Sequence, residues 1–414
     1  MAYTTSSDPR QTVLIVSQVY NPDPAATGQY LHETAVALIQ RGYRVRVVTS
    51  AQGYDDPTTQ YPRHEVMDGV EVERVPLMGL AKQSLLSRML GGSLLLAQAV
   101  ARSLTYGAID HVIVSTTPPH AGPAGALIAG AKRARLTFWA QDINPDQAVS
   151  MGHIAASAPA AQAMEQAVRL TLRAAHRVVA LDRFMAERLI AKVDVAHKTT
   201  VIPPWPLQGV AMQAIGPVSD DNAFRCKHAL QGKLVVMYSG NISPTHPVDS
   251  LLKAATLLTD RPDIQFLFVG GGHGKAQVEA FAAAHPSAHI RTLPYQPLQE
   301  LPTSLSAANI HVVTMGDNQV GIVHPSKVYS ALAVGRPILY VGPQASHVGD
   351  IVERFGAGFS FRHGQAEEIA ATLRSVADGP LQPLQAMGQK AQNAAQTEFS
   401  RQTLLEKLLD AIIS

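Results

Sequence analysis

Two rhythms of hydrophobic residues alternate along this chain. Short unbroken apolar runs, such as Val13-Leu14-Ile15-Val16, are followed by longer stretches in which apolar residues recur every three or four positions, such as Leu31, Ala35, Leu38 and Ile39. An unbroken run predicts a strand covered on both faces, and the wider spacing predicts an amphipathic helix. Strands are predicted at 12–17, 43–49, 70–75, 111–115, 136–140, 177–181 and 200–202, with a helix over 30–40 closed by Gly42. A second series follows at 235–238, 264–269, 290–293, 310–314, 337–341 and 357–361, ending in an amphipathic helix over 403–413. Strands separated by helix-length segments predict an α/β chain with parallel, doubly wound sheets.

Pro203-Pro204-Trp205-Pro206 interrupts the pattern, because prolines so dense continue neither a helix nor a central strand. A linker is expected from there to about residue 230. The expected organisation is a first Rossmann-like domain over 1–205, a second over 206–395, and a final helix over 396–414 that returns to the first domain. In sheets of this kind ligands sit at the carboxyl ends of the strands, where strand order reverses. Two such halves predict a cleft with the site facing it.

Composition narrows the possibilities. The chain has 414 residues, too many for one ordinary core, with 46% hydrophobic and 16% charged residues. Its net charge of +2 gives no nucleic-acid footprint. The single cysteine, Cys226, rules out an intramolecular disulfide and a cysteine-based zinc site. Residues 1–10 are polar and carry no apolar core, so no signal peptide is expected. No uncharged run reaches membrane-span length, and a cytoplasmic protein is expected. The apolar stretch 85–100, bracketed by Lys82, Arg88 and Arg102, has two readings. It is a core helix pair broken at Gly91-Gly92, or an interfacial helix resting on anionic lipid.

Candidate chemistry clusters just after predicted strands. Tyr238-Ser239-Gly240-Asn241 ends the first strand of the second half, where backbone N–H groups can face an anion. Gly270-Gly271-Gly272-His273-Gly274 lacks the Gly-Lys-Ser/Thr ending of a Walker loop, and its glycines let a ligand approach closely or simply make a turn. Leu293-Pro294-Tyr295 follows the next strand, and Tyr295 is placed to stack on a base or to pack its own loop. Ser326 is expected to cap a helix whose first turn carries Lys327. A lysine there opposes the helix dipole unless an anion shares the terminus, which points to diphosphate binding over a merely solvated side chain. In the first half, Asp142 is a candidate for contact with a sugar hydroxyl or as a base, with Asp146 a turn or cap residue. His120 is a candidate donor to an acceptor or a developing charge, and Gly28 opens the start of the first helix to a ligand.

Together these stretches resemble the retaining glycosyltransferases of family 4 with the GT-B fold, and within them the bacterial colanic-acid and O-antigen sugar transferases. The resemblance rests on Tyr20-Asn21-Pro22 with Thr27-Gly28-Gln29-Tyr30, Gln141-Asp142-Ile143-Asn144-Pro145-Asp146, Val201-Ile202-Pro203-Pro204-Trp205, Tyr238-Ser239-Gly240-Asn241, Phe268-Val269-Gly270-Gly271-Gly272, Leu293-Pro294-Tyr295, and Pro325-Ser326-Lys327 with Gly335-Arg336-Pro337. It covers nearly the whole chain. It implies a UDP- or GDP-sugar donor held mainly by the second domain, with Gly240, Asn241, Gly270 and Gly271 near the diphosphate or sugar. Leu293 and Tyr295 would lie near the base, Ser326 and Lys327 at the diphosphate. Two departures stand out. Both carboxylates of the Glu-x7-Glu signature are missing, their places taken by Ile322 and Ser330, and Asn241 and His246 stand where relatives carry an Arg and a Lys.

The expected function is transfer of a hexosyl group from a nucleoside diphosphate sugar to a hydroxyl acceptor, lipid-linked or glycan, in bacterial surface polysaccharide or glycolipid synthesis. Lys327, Asp142 and His120 are the expected catalytic residues, with no metal, no cofactor beyond the substrate, and peripheral contact with the inner face of the plasma membrane. Two alternatives share the fold pattern: an epimerase of the kind that acts on UDP-N-acetylglucosamine, and a non-catalytic nucleotide-sugar-binding subunit. An NAD-dependent dehydrogenase is disfavoured, because the first strand leads into no Gly-x-Gly-x-x-Gly.

Overall fold

The computed structural model describes residues 10–23, 25–53, 58–76, 85–206 and 218–414. The chain divides into two compact units, one of Met1–Pro203 with Gln402–Ser414 and one of Pro204–Arg401. Lys82 and the part of the expected linker over 207–217 lie outside the described residues.

The first unit is built on eight strands: β1 (Thr12–Val16), β2 (Arg44–Ser50), β3 (His64–Met67), β4 (Val70–Val75), β5 (His111–Ser115), β6 (Arg135–Trp139), β7 (Arg177–Ala180) and β8 (Thr199–Val201). Their order is β3-β4-β2-β1-β5-β6-β7-β8, parallel throughout except for the β3–β4 hairpin. β3 is an edge strand absent from the expected series. His64-Glu65-Val66-Met67 is only partly buried, so it carries no apolar run to reveal it. The helix Leu85–Thr105 is continuous, which corrects the expected break at Gly91-Gly92. A Cβ on Gly92 would lie 2.9 Å from Pro118 Cβ and 3.1 Å from His120 Cε1, so that glycine serves a close helix–loop contact and does not end the helix. The last helix, Arg401–Ile413, buries Leu404, Leu405, Leu408, Leu409 and Ile412. Asp410 takes a 2.6 Å bond from Arg41, and Arg135 donates to the Ser414 carbonyl at 2.6 Å.

The second unit holds six strands: β9 (Leu234–Asn241), β10 (Ile264–Gly271), β11 (Ile290–Leu293), β12 (Ile310–Thr314), β13 (Ile338–Val341) and β14 (Gly358–Phe361). Their order is β11-β10-β9-β12-β13-β14, and every pair is parallel. Chain order therefore reverses between β9 and β12, the dinucleotide-fold arrangement that puts ligands beside the carboxyl end of β9. The strands are covered on both faces. Val236, Tyr238, Phe266 and Phe268 pack with Leu251, Leu252, Ile369 and Leu373 of the helices Asp249–Thr256 and Ala366–Asp378. Val235, Met237, Leu267 and Val269 pack on the other side with Phe224, Leu230 and Ala307. This double burial explains why these strands read as unbroken apolar runs.

Arg225 fastens the amino ends of β9 and β12. Its guanidinium donates to the carbonyls of Ala307, Leu230 and Lys233, each at 2.7 Å, to Asn309 Oδ1 at 3.2 Å and to Asp220 at 3.1 Å. Asn309 Oδ1 in turn accepts the Val235 N–H at 2.8 Å. Replacing Arg225 with methionine takes this donor from the carbonyls of Ala307, Leu230 and Lys233, so Arg225→Met should cost about 3 kcal/mol or more in urea unfolding. A loss under about 1 kcal/mol would mean that the clamp is dispensable.

Candidate functional site

The candidate site of the second unit starts from how far β9 and β10 stay paired. Their register runs past the apolar segment to Gly240 opposite Gly270 and Asn241 opposite Gly271. Gly240 has φ +126° and Gly270 φ +140°, conformations that side chains disfavour. A Cβ on Gly270 would stand 2.1 Å from the Gly240 carbonyl oxygen, one on Gly271 2.8 Å from the Tyr295 ring, and one on Gly272 1.9 Å from Asn241 Oδ1. The glycine run is therefore required by protein neighbours. Gly240 differs, because a Cβ there would meet nothing closer than Lys327 Cε at 3.8 Å.

Lys327 is the cation of this turn. Its Nζ donates to the Tyr238 hydroxyl and lies 3.7 Å from the centroid of the Tyr238 ring. No carboxylate acts on it among the described residues. Burial without such a partner pulls its pKa down to about 7. His246 stands nearby on the segment after β9. Its Nδ1–H donates to the Thr314 carbonyl at 2.9 Å, which ties that segment to the end of β12. Burial, reinforced by the Lys327 charge, lowers its pKa to about 3, so His246 is neutral at physiological pH. It is an uncharged group there, and Asn241 is an exposed amide. Positive charge beside Gly240 therefore comes from Lys327.

Leu293 ends β11, and Tyr295, 55% exposed, lays its ring over Gly271. Ser326 occupies the N-cap position of the helix Lys327–Ala333, but its hydroxyl makes no capping bond. This corrects the expected cap. Ser326 has φ −60° and ψ −19°, already helical, whereas a capping side chain needs the extended backbone that aims it at the second or third N–H. Ile322 is 3% exposed, an apolar packing residue where the first glutamate of the family signature would stand.

The first unit presents its own candidates at the carboxyl ends of β1, β5 and β6, beside the reversal between β1 and β5. Thr116 Oγ1 accepts the N–H groups of Gln141 at 3.2 Å and Asp142 at 3.1 Å, which locks the Asp142 loop to the end of β5. His120 Nε2 is 3.0 Å from Ser93 Oγ, and burial lowers its pKa, which favours the neutral ring. Asp146 is a salt-bridge residue, 2.7 Å from Lys192 Nζ and 3.6 Å from Arg188. Gly28 sits in the first turn of the helix Ala26–Gln40, where a Cβ would come within 3.1 Å of the Tyr20 backbone. Its requirement is this packing. Tyr20 is held in turn by a chain through His32 Nδ1 at 2.9 Å to Asp68, 3.0 Å from His32 Nε2. The sequence reading gave no role to Tyr238 or Thr116. A tyrosine closing an otherwise aliphatic strand, and a threonine just beyond a strand end, were the available signals.

Two family models match the chain. One, described as a glycosyl transferase 4-like domain, covers residues 26–205, and one for glycosyl transferases group 1 covers 220–394. The chain is 25% identical over 378 residues to the putative colanic acid biosynthesis glycosyl transferase WcaI of Escherichia coli K12, covering 88% of this chain and 91% of that one. It is 23% identical over 299 residues to the probable glycosyltransferase WbjE of Pseudomonas aeruginosa, covering 72% and 73% of the two. Among solved structures, Anabaena Alr3699/HepE in complex with UDP and glucose superposes with a TM-score of 0.70 at 18% identity, over 98% of this chain and all (100%) of the other, a likeness of fold.

Two outcomes follow from the geometry. Gly270→Ala should disrupt the β9–β10 ends and cost about 2–4 kcal/mol, read by thermal or urea unfolding. A nucleotide sugar held by Lys327 would need its ammonium form, which in the free protein is populated below about pH 7. Its affinity should therefore be highest below that pH and fall by up to about tenfold per unit above it. Calorimetry from pH 6 to pH 9 should find this slope in the native protein and a flat profile in Lys327→Met.

Proposed function

This chain belongs to the family 4 glycosyltransferases of the GT-B fold, and we propose that it transfers a hexosyl group from a nucleoside diphosphate sugar to a hydroxyl acceptor during synthesis of a bacterial surface polysaccharide or glycolipid. The observation that carries this reading is the Lys327 ammonium beside the open Gly240 turn, at the strand-order reversal of the second unit. The names of the relatives support the setting. WcaI is named for colanic acid biosynthesis, and HepE was solved with UDP and glucose.

In this reading the bond between the anomeric carbon and the diphosphate oxygen breaks as the acceptor oxygen bonds to that carbon, and the acceptor hydroxyl proton passes to the departing diphosphate. Negative charge accumulates on the departing diphosphate. Lys327 and the backbone amides at Gly240 and Asn241 stabilise it, already in place before the reaction. Tyr295, with Leu293, serves the base. In the first unit Asp142 and the neutral ring of His120 orient the acceptor hydroxyl. Retention at the anomeric carbon and independence from metal belong to the same proposal. They are supported by the family resemblance and by Lys327 supplying the positive charge.

The acceptor is proposed to be lipid-linked and met at the inner face of the plasma membrane. Three neighbouring helices of the first unit, Leu85–Thr105, Ala121–Lys132 and Pro159–Ala174, expose Leu90, Leu104, Leu127 and Leu170, each by more than half. The first two of these helices contain no Asp or Glu, while Lys132, Arg133 and Arg173 supply cations. Apolar side chains among cations suit an anionic lipid surface. No described helix is long and apolar enough to cross a membrane.

Three measurements test this. A thermal-shift panel of UDP-, GDP- and dTDP-sugars should raise the melting temperature with one nucleotide class, and indifference to all would sink the donor reading. Lys327→Ala should lower turnover by a factor on the order of 10²–10³, as loss of one oxyanion-type donor does, and an unchanged rate at saturating donor would remove Lys327 from the mechanism. The native protein should sediment with phosphatidylglycerol vesicles at low salt and not with phosphatidylcholine, and Leu127→Glu should weaken that association. Equal recovery with both vesicle types would count against the lipid surface.

A further inference from the structure

Tyr238 is a core residue with a polar end. Its side chain is fully buried, and its ring packs against Phe268 with centroids 5.9 Å apart and planes at 28°. A buried tyrosine needs a partner for its hydroxyl, and this one has two. It donates to the Asn241 carbonyl at 2.8 Å and accepts from Lys327 Nζ. The hydrogen bonds run one way, from the Lys327 ammonium to the Tyr238 hydroxyl to the turn that carries Gly240. One side chain thus joins the turn to a lysine 89 residues further along. The ring adds a second contact with the same ammonium, its centroid 3.7 Å from Nζ. An ammonium has three N–H donors, so the bond to Tyr238 leaves two for a ligand.

We propose that Tyr238 is a positioning residue for the donor diphosphate, holding the Lys327 ammonium over the open face of Gly240. The proposal rests on the reading of Lys327 as the diphosphate cation. A flexible four-carbon stem would otherwise sample many positions. Anchored at the tyrosine hydroxyl, it presents its charge to the turn whose amides meet the same anion. The neighbouring titratable groups are His246, from the segment after β9, and Tyr295, from the loop after β11. His246 is neutral at physiological pH and brings no negative charge that could hold the ammonium instead.

Tyr238→Phe separates this role from packing, because phenylalanine keeps the ring, its stacking on Phe268 and the ring face toward Lys327, and removes only the hydroxyl. Calorimetry with UDP-glucose and GDP-mannose should find affinity for the donor that binds lowered about tenfold, the loss of one hydrogen bond to a charged group, with little change in melting temperature. In a Lys327→Met background the same change should cost nothing further. Independently of any donor, the Lys327 Cε resonance in lysine-¹³C-labelled protein, identified by its loss in Lys327→Arg, should titrate at lower pH in Tyr238→Phe than in the native protein. Additive losses in the double variant, or an unmoved Lys327 titration, would overturn the proposal. An inert Lys327→Met fails differently: it removes the diphosphate role of both residues, while the titration still reports whether the hydroxyl holds the lysine.

Discussion

The second unit depends on one close approach. β9 and β10 remain paired into Gly240 and Gly270, where the carbonyl of one glycine stands against the α-carbon of the other. Side chains on both strands would force the ends apart. Because they do not diverge, Asn241 folds over Gly272, Tyr295 settles on Gly271, and the Gly240 turn is left with an unfilled face. Lys327 then arrives from a distant helix to border that face. The site is thus a by-product of strand pairing carried two residues further than the hydrophobic core requires.

Charge at this turn is economical. The family resemblance implies an Arg and a Lys after the strand-end glycine, and this chain has Asn241 and a histidine kept neutral by burial. A single ammonium stands in their place, and it sits in surroundings that also favour its uncharged form. An anion in the turn would restore the proton. Ligand and cation therefore stabilise one another, and the empty turn carries less buried charge than a permanent arginine would impose.

Much of this was legible beforehand, for identifiable reasons. Strands covered on both faces had to be apolar throughout, so β1, β9, β10 and β12 announced themselves. β3 did not, because an exposed edge strand is released from that demand. Gly91-Gly92 looked like a break because sequence alone carries no sign that Pro118 and His120 press against that helix. Ser326 looked like a cap by residue type, yet capping is set by backbone conformation, and its own is helical. The glycines at 270 to 272 suggested room for a ligand, and in the fold the place a side chain would take at each is held by protein neighbours. Tyr238 went unassigned because its partners lie at Asn241 and far off at Lys327, and the distant contact exists only once the sheet is assembled.

The first unit is discontinuous in the chain. Its final helix, Arg401–Ile413, follows the entire second unit, and it carries leucines and an isoleucine that are buried in the finished protein. A ribosome makes the chain from the amino end, so the eight strands of the first sheet emerge long before this helix exists. Until then the first unit must wait with part of its apolar surface uncovered. The second unit must be translated in the interval, so completion of the first is tied to synthesis of the whole. A nascent chain stalled in the second unit would hold an unfinished first one.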